Sequence, residues 1–575
     1  MSFRAIALSL GLVLTATQAE AAYRARLLVP AGPFHGVHGL AFGPDGDLYA
    51  GDIMGSTVHL IDVATGKRRV AVGAPLGMAD DVGFAPAGTP FAGTMVWTAV
   101  AVGKLYAQAP GGKPRVIAEN LPSVNTVGFA PDGRLFVTQT GPANQTLWQV
   151  DLSGQTPPKK LWDQTGGLNG FVIAPDGFLY GPQADLGRVI KLDLNTMAVS
   201  VIAEGFQWPT AVEMDSKGLL YVGDFDAGTV TQLNKDTGEK VLIATIEPGI
   251  DNLAMGPAGT PWADKIYASS ITRNGIFEID PVSKAMRPVV AGQRAEGHLT
   301  VPGGVAMSSD GKTIYVADMF ALRAVDAQSG QVRTLIPAGR ASPYPSNVNI
   351  TRMGERDVMV ITSWFSGNVI LADSTSRDAT EIHSGFAMPT AAVMRADGTI
   401  VVAESGAKRL TVLGPNGSRA TLDGVFEQPM GIAQDVDGKL YVSDAATGRL
   451  VEVDLTASTW RNIGVGLKRP EGVAMLPDGR VAVVDSGDGQ VWAFDPTQTN
   501  TDAQKAAEIV SRLSVGLIPP APMPETWVFN GIAAAPDGTV YLPSDIQAAL
   551  YVLHPSGGPA SFREALRGLT SWMFR

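Results

Sequence analysis

One pattern of hydrophobic and polar positions recurs along the whole chain. Two or three alternating apolar positions lead into a Pro-Asp-Gly-like turn, and an apolar run follows, as in HGLAFGPDGDLYAGD and NGFVIAPDGFLYGPQ. Asp-Gly between two alternating apolar runs is a strong hairpin signal, because the turn needs positive φ angles that glycine adopts at little cost. A third and a fourth apolar run follow, as at residues 450–453 and 199–203. Four short antiparallel strands per repeat are typical of one propeller blade.

The repeat occurs twelve times. Ten of the eleven spacings between its turns lie between 40 and 52 residues, and the last is 59. Because propellers typically have four to eight blades, we predict an all-β fold of two tandem six-bladed β-propellers, with domains at residues 22–297 and 298–575. The polar stretch 294–299 marks the junction. The turns end at Gly46, Gly88, Gly133, Gly177, Gly218, Gly259, Gly311, Asp357, Gly398, Gly438, Gly479 and Gly538.

Two segments fall outside the repeat. Residues 24–29 look like a spare strand that closes one ring, and the sequence leaves open which ring. Residues 502–513 carry apolar positions at helical spacing after a possible Asp502 cap, which predicts a surface helix inserted in the eleventh blade.

The N-terminus has the pattern of a signal peptide. Arg4 is followed by an apolar run at 5–16 and by the small-x-small sequence of residues 19–21. The apolar run is shorter than the roughly 20 residues that a membrane span needs. We therefore predict a signal peptide at 1–21, a mature chain starting at Ala22, no membrane span, and a periplasmic or secreted protein.

Composition excludes several classes of function. The chain has 575 residues, 45% of them hydrophobic, which is enough to build large cores. Its 44 basic and 55 acidic residues give a net charge of −11, which argues against a nucleic acid partner. The absence of cysteine excludes disulfides, thiolate metal sites and a cysteine nucleophile. The sequence contains no G-x-S-x-G, P-loop or H-E-x-x-H motif.

Candidate chemistry lies eight positions before each turn, where the innermost strand opens toward the central channel. Asp and Asn are ordinary turn residues before a strand, but Gly, Thr and Met also occupy this position, so the fold does not demand oxygen-bearing side chains there. Four such side chains converging on one axis provide the hard oxygen ligands that calcium prefers. In the first ring these positions hold His38, Asp80, Asn125, Asn169, Thr210 and Asp251, and in the second Gly303, Asn347 or Asn349, Thr390, Met430, Glu471 and Asn530.

We therefore predict that calcium, or another divalent cation, binds Asp80, Asn125, Asn169 and Asp251. Asp251 and Asp80 are also the candidate catalytic carboxylates, and His38 is a candidate base or a polar residue without a proton to move. Asp81 and Asn252 would support the ligands from behind.

The repeats resemble the senescence-marker-protein, gluconolactonase and paraoxonase group of six-bladed propellers, as in LNGFVIAPDG and FNGIAAAPDG. The resemblance implies a channel cation and, in many members, hydrolysis of lactones or related esters. It places asparagine ligands at Asn125 and Asn169, and a weaker second-ring site at Glu471 and Asn530. The sequence departs from the group at Thr210, where an acid is expected, and it lacks the early Glu-Gly-Pro signature.

The resulting hypothesis is an exported, calcium-dependent lactonase or esterase with its site in the first ring. A non-enzymatic binding protein that holds a protein or glycan partner on the propeller faces is the first alternative. A propeller lyase, which would cleave a cyclic ester by elimination, is the second. Rim loops without a recognisable pattern leave the substrate unassigned.

Overall fold

The computed structural model describes residues 23–141, 144–291, 297–339, 344–374, 379–510 and 529–555. The predicted signal peptide and part of the predicted junction at 294–299 lie outside these residues. The described chain is all-β: it folds into twelve sheets whose strands pair antiparallel except for one parallel pair at the edge of one sheet, with short 3₁₀ turns at Val100–Val102, Ala184–Leu186 and Ala503–Lys505. None of the helices in the described part of the chain is long and apolar enough to cross a membrane.

The first six sheets each contain four strands that follow one another in sequence. Their strands are β2 (Val37–Phe42), β3 (Leu48–Asp52), β4 (Thr57–Ile61) and β5 (Arg68–Val72); β6 (Ala79–Phe84), β7 (Met95–Ala99), β8 (Lys104–Gln108) and β9 (Arg115–Ala118); β10 (Val124–Phe129), β11 (Leu135–Gly141), β12 (Asn144–Val150) and β13 (Lys159–Asp163); β14 (Val172–Ile173), β15 (Phe178–Gln183), β16 (Arg188–Asp193) and β17 (Val199–Glu204); β18 (Pro209–Met214), β19 (Leu220–Asp224), β20 (Thr229–Leu233) and β21 (Lys240–Thr245); β22 (Ile250–Met255), β23 (Ile266–Ser270), β24 (Gly275–Ile279) and β25 (Met286–Val290).

The later sheets repeat this arrangement, and the last sheet also takes in β1 (Tyr23–Val29). Their strands are β26 (Pro302–Met307), β27 (Thr313–Asp318), β28 (Ala321–Asp326) and β29 (Val332–Ile336); β30 (Asn347–Met353), β31 (Arg356–Ser363), β32 (Asn368–Asp373) and β33 (Ala379–His383); β34 (Pro389–Met394), β35 (Ile400–Glu404), β36 (Arg409–Leu413) and β37 (Arg419–Leu422); β38 (Pro429–Gln434), β39 (Leu440–Asp444), β40 (Arg449–Asp454), β41 (Thr459–Val465) and β45 (Thr501–Asp502); β42 (Pro470–Met475), β43 (Val481–Asp485), β44 (Gln490–Phe494) and β46 (Ala507–Val510); β47 (Ala533–Ala534), β48 (Val540–Ser544) and β49 (Ala549–Pro555).

Glycine forms the predicted turn in eleven of the twelve repeats. All eleven predicted turn glycines have φ between 71° and 90°, the left-handed region that glycine adopts without strain. The prediction of Asp357 as the eighth turn residue is wrong. That residue lies within β31, and the turn is made by Gly354, with a φ of 65°. The eighth hairpin is shorter than the others, because Met353 pairs directly with Arg356 across the turn.

The first strands of the sheets pack against one another in order. β2 contacts β6, and the contacts continue through β10, β14, β18 and β22, which returns to β2. Among the later sheets, β26 contacts β30, and the series continues through β34, β38, β42 and β47, which returns to β26. This radial packing of four-stranded sheets is the β-propeller fold.

The N-terminal strand belongs to the last sheet. β1 pairs antiparallel with β49, from Tyr23 opposite Pro555 to Val29 opposite Leu550. The sequence predicts this spare strand but not its partner, and the structure assigns it to the end of the chain.

The predicted helix at 502–513 is wrong over the described residues 502–510. Asp502 does act as a cap, accepting a bond from the Gln504 backbone N–H at 2.9 Å, but it caps only a 3₁₀ turn. The chain then forms β46, which pairs with β44 as the outermost strand of its sheet. Ile509 and Val510 are buried against the neighbouring sheet, and this packing favours a strand over the helix that their spacing predicts. Residues 511–513 lie outside the described residues.

Apolar side chains fill the gaps between neighbouring sheets, and one further cluster joins the two series of sheets. It contains Met54, Met78 and Phe225 from the first series and Phe320 from the second, with Tyr344 packed at its edge. Polar bonds reinforce this junction, as where the Arg323 guanidinium donates to the Thr272 carbonyl at 2.7 Å. The two series are therefore packed together at the end of the channel where the candidate site lies.

Candidate functional site

The predicted first-ring residues lie at corresponding places in the fold. His38, Asp80, Asn125 and Asp251 are each the second residue of the first strand in their sheet. Asn169 stands just before β14. The repeat therefore delivers all five side chains to the same end of the channel, as the spacing predicts.

Asp80, Asp251 and His38 lie close enough to affect one another electrostatically. Burial is the largest cause of the raised pKa of both carboxyls, and a positive charge on a protonated His38 would oppose it. The negative charge of Asp251 raises the pKa of Asp80 further. Two buried carboxyls that repel each other can share a bound cation.

The tautomer of His38 is set by its backbone. Its Nδ1 lies 2.8 Å from the carbonyl oxygen of Gly36, and because a carbonyl only accepts, Nδ1 carries the proton. The neutral ring then has its lone pair on Nε2. His38 is buried, with 6% of its surface exposed. This is the arrangement that a base needs, with one nitrogen anchored and the other available.

The two predicted asparagine ligands meet at one hydroxyl. Thr126 Oγ1 lies 3.0 Å from Asn125 Oδ1 and 3.1 Å from Asn169 Oδ1. Asn169 Oδ1 also accepts a bond from the Gly170 backbone N–H at 2.9 Å. These bonds fix the amide oxygens of neighbouring sheets at the channel, and a carbonyl oxygen has two lone pairs to share.

A second acidic group lies behind the first. Asp81 accepts hydrogen bonds from the backbone N–H of Val127 at 2.9 Å and from the Asn252 amide at 3.1 Å. A Cβ on Gly39 would stand 2.5 Å from Asp81 Oδ1, so glycine is required where the Asp81 side chain crosses the first sheet. Burial raises the pKa of Asp81 to about 8. Asp81 and Asn252, predicted to support the site, thus bond directly to each other.

Glu213 is an acidic residue near Asp81 that the sequence reasoning missed. It lies in β18, and burial raises its pKa to about 8. Its charge also raises the pKa of Asp81. The sequence does contain a signal for Glu213. In the first six repeats, it is the only acidic residue that stands five positions before a turn glycine. The other five residues are Ala41, Gly83, Gly128, Val172 and Ala254.

An aromatic group from the later sheets covers this end of the channel. The Phe320 ring meets the His38 ring edge-on, with centroids 5.3 Å apart, and Tyr344 packs edge-on against Phe320 at 5.9 Å. Burial and then the negative charges of Asp251 and Asp80 raise the pKa of Tyr344, so its phenol keeps its proton. Sequence reasoning missed these residues because they come from the other series of sheets.

The corresponding second-ring residues are already engaged within the protein. Glu471 is fully buried, and its Oε2 accepts bonds from the backbone N–H of Asn530 at 2.7 Å and from its side-chain amide at 2.9 Å. Its Oε1 accepts from Ser486 at 2.7 Å and forms an ion pair with Arg469 at 3.0 Å. Asn347 and Asn349 likewise bond to backbone groups.

The aspartates that end the second strands have a structural role. Each accepts backbone N–H bonds from the loop that precedes its sheet, at distances of 2.6–3.2 Å. The aspartates in question are Asp224, Asp318, Asp444 and Asp485.

The predicted ligands fit a hard divalent cation only if the amide oxygens of Asn125 and Asn169 bind it together with the carboxylates. In the described chain, no three His, Cys, Asp or Glu residues form a group that could hold a metal ion. Two carboxylates and two amide oxygens are the ligand types that calcium takes. Calcium would also offset the repulsion between Asp80 and Asp251.

Comparison with known proteins matches part of the chain that carries this site: His38, Asp80, Asn125 and Asn169 lie within the matched residues, and Asp251 lies outside them. The family model for the SMP-30/Gluconolactonase/LRE-like region matches residues 34–222, and the NHL repeat model matches residues 467–494. The chain therefore resembles this group of propellers, as its repeats predict. No curated protein matches the chain.

Many solved structures align with parts of the chain at low identity. A streptogramin B lyase structure is 13% identical, with 55% of this chain and 98% of that chain covered and a TM-score of 0.36. A proposed gluconolactonase is 16% identical, with coverage of 48% and 95% and a TM-score of 0.36. The extracellular domain of a proposed one-component system from B. thetaiotaomicron is 11% identical, with coverage of 90% and 75% and a TM-score of 0.31.

Proposed function

We propose that the chain is an exported, calcium-dependent hydrolase of lactones or related esters, built as two six-bladed propellers. The first ring would hold the site, and the second ring, closed by β1, would cover it. The observation that carries the proposal is the grouping of Asp80, Asp251 and His38 beneath Phe320 and Tyr344. The match over residues 34–222 supports the same reading.

The residues of the site suit ester hydrolysis. A divalent cation held by Asp80, Asp251, Asn125 and Asn169 would polarise the ester carbonyl. His38 Nε2 accepts a proton from the attacking water as the water oxygen bonds to the carbonyl carbon. The same proton then passes to the leaving oxygen as the carbon–oxygen bond of the ester breaks. Tyr344 donates a hydrogen bond to the developing alkoxide, and its ring with that of Phe320 limits the access of bulk water.

A panel of lactones and aryl esters tests the activity. We expect turnover that needs calcium and stops with chelator. Asp251→Asn should lower kcat by up to roughly 10²–10⁴, the usual contribution of acid–base catalysis, because it removes the carboxylate that stabilises His38 once the ring has taken the proton, while part of the calcium affinity remains. Asp132→Asn is the matched control, because that residue is an exposed turn aspartate of the same series of sheets, and its kcat should equal that of the wild type.

Calorimetry tests the cation independently of turnover. Asp251→Ala should weaken calcium binding more than Asn125→Ala, since it removes charge as well as a ligand. Bound calcium also raises the melting temperature by mass action, so chelator should lower it. Calcium binding without turnover on any ester would leave a structural cation and favour the binding-protein alternative. Absence of calcium binding would end the metal-dependent mechanism.

A further inference from the structure

A second pocket, distinct from the channel, opens where the first sheet meets the last. Its volume is about 800 Å³, and its walls include Leu27, His35, Arg68, Arg69 and Ile546. His35 Nε2 lies 2.7 Å from the carbonyl oxygen of Ile546, which ties the two sides together. Its volume is within the range of small-molecule sites, roughly 300–1,000 Å³.

The pocket has unpaired positive charge. Arg68 and Arg69 are both exposed, and neither guanidinium has a carboxylate at ion-pairing distance among the described residues. The Arg68 guanidinium lies 5.1 Å from the centroid of the Phe34 ring, which orients it without neutralising it. Asp47 lies near enough to feel the charge of Arg69, and Asp52 acts on Arg68 in the same way without an ion pair.

The one carboxylate in the pocket wall is occupied. Asp52 is buried, and it accepts bonds from the His35 backbone N–H at 3.1 Å and the Gly55 backbone N–H at 3.2 Å. His59 Nε2 lies 3.4 Å from Asp52 Oδ2. Hydrogen bonds to Asp52 favour its ionised form and lower its pKa, although burial acts in the opposite direction. Its oxygens are therefore engaged by these donors, and it acts on Arg68 only from beyond ion-pairing distance.

The pocket wall also contains exposed apolar side chains. Leu27 and Val70 are 45% and 52% exposed, and Ile546 is 39% exposed. These side chains share the pocket wall with the two arginines, and Val70 lies on the same strand as they do. The wall thus offers both anion-binding and hydrophobic groups.

We propose that this pocket binds a small amphipathic organic anion, with its carboxylate or phosphate at Arg68 and its apolar part against Leu27, Val70 and Ile546. Arginine recognises both kinds of oxyanion through its fork of N–H donors. The site is independent of the hydrolase proposal, because none of its residues belongs to the channel mouth.

Binding of heptanoate, hexyl phosphate and heptan-1-ol to the full-length mature protein tests the proposal by calorimetry. We expect at least one of the anions to bind, and the alcohol to bind at least tenfold more weakly. The stronger anion identifies the headgroup. Arg68→Met should weaken anion binding by about tenfold or more, since hydrogen bonds to charged groups are strong. Lys67→Met is the matched control: it removes a neighbouring exposed charge that does not line the pocket, and its affinity should equal that of the wild type.

Three results would overturn the proposal: no binding by either anion, equal binding by the alcohol, or unchanged anion binding in both Arg68→Met and the double variant Arg68→Met, Arg69→Met. Asp251→Ala separates this site from the channel. It should leave heptanoate and hexyl phosphate binding unchanged, and a loss of their binding there would place the anion in the channel instead.

Discussion

The Asp81 carboxylate accepts a hydrogen bond from the Asn252 amide at 3.1 Å, across the first strand of the sheet that lies between them. The bond joins the second sheet to the sixth, and Gly39 in the intervening strand leaves room for it. A side chain that ties together three sheets fixes the relative positions of Asp80 and Asp251, which are the chain neighbours of the bonded pair.

Removing this amide should therefore destabilise the protein. Asn252→Ala leaves Asp81 with one fewer donor in a buried site, and we expect the free energy of unfolding to fall by about 1–3 kcal/mol. Denaturant unfolding measures the change. Asn195→Ala serves as the control, because that side chain is exposed and should contribute little. Equal stability of the two variants would show that the Asp81–Asn252 bond does not support the site.

The regular part of the fold could be predicted from the sequence, because it depends on local turn chemistry. Eleven turn glycines have the positive φ that the Asp-Gly pattern requires. The eighth hairpin was misplaced because Gly354 makes a tighter turn than the Pro-Asp-Gly pattern, so the repeat slips by three residues. The predicted helix at 502–513 is wrong because this segment pairs with β44 as the outer strand of its sheet. Packing against the rest of the fold overrides the helical spacing of its apolar residues.

The sequence predicts only the part of the site that comes from the first six repeats. Equivalent positions in successive repeats bring Asp80, Asp251 and His38 together, because a propeller directs its first strands to one channel. Tyr344 and Phe320 come from the other series of sheets, and no repeat spacing within the first ring reports them. Glu471 illustrates the reverse case: it occupies the matching position, yet its oxygens are engaged by Arg469, Ser486 and Asn530.

The pH dependence of the free energy of unfolding should reveal the ionisation of Glu213. Burial raises its pKa to about 8 from an ordinary 4.5, so the native state keeps a proton that the unfolded chain loses. The free energy of unfolding should therefore fall as pH rises from about 4.5 to about 8, measured with chelator present. Glu213→Gln cannot ionise, so its decline should be shallower and it should exceed the wild type in stability at pH 8. Glu239→Gln, an exposed control, should retain the wild-type slope.

Breaking the buried pair of Glu471 and Arg469 should be costly. Glu471→Ala removes the carboxylate that pairs with the Arg469 guanidinium in a largely buried place, and we expect a loss of about 3–5 kcal/mol in the free energy of unfolding. Glu427→Ala removes the exposed partner of Lys408, where solvent screens the charges, and should leave the midpoint of denaturation unchanged. A small effect at Glu471 would mean that its bonds are replaced by solvent.

The N-terminal strand should stabilise the last sheet through its buried side chains and not through its exposed ones. Leu28 is 3% exposed and packs in the apolar cluster with Leu550 and Val552, whereas its neighbour Leu27 is 45% exposed. Leu28→Ala should therefore lower the free energy of unfolding by about 2–5 kcal/mol, the usual effect of truncating a buried leucine. Leu27→Ala on the same strand should have a much smaller effect, and it keeps the backbone pairing with β49 unchanged. Equal effects from the two leucines would contradict the pairing of β1 with the last sheet, because a strand in another register would bury Leu27 instead.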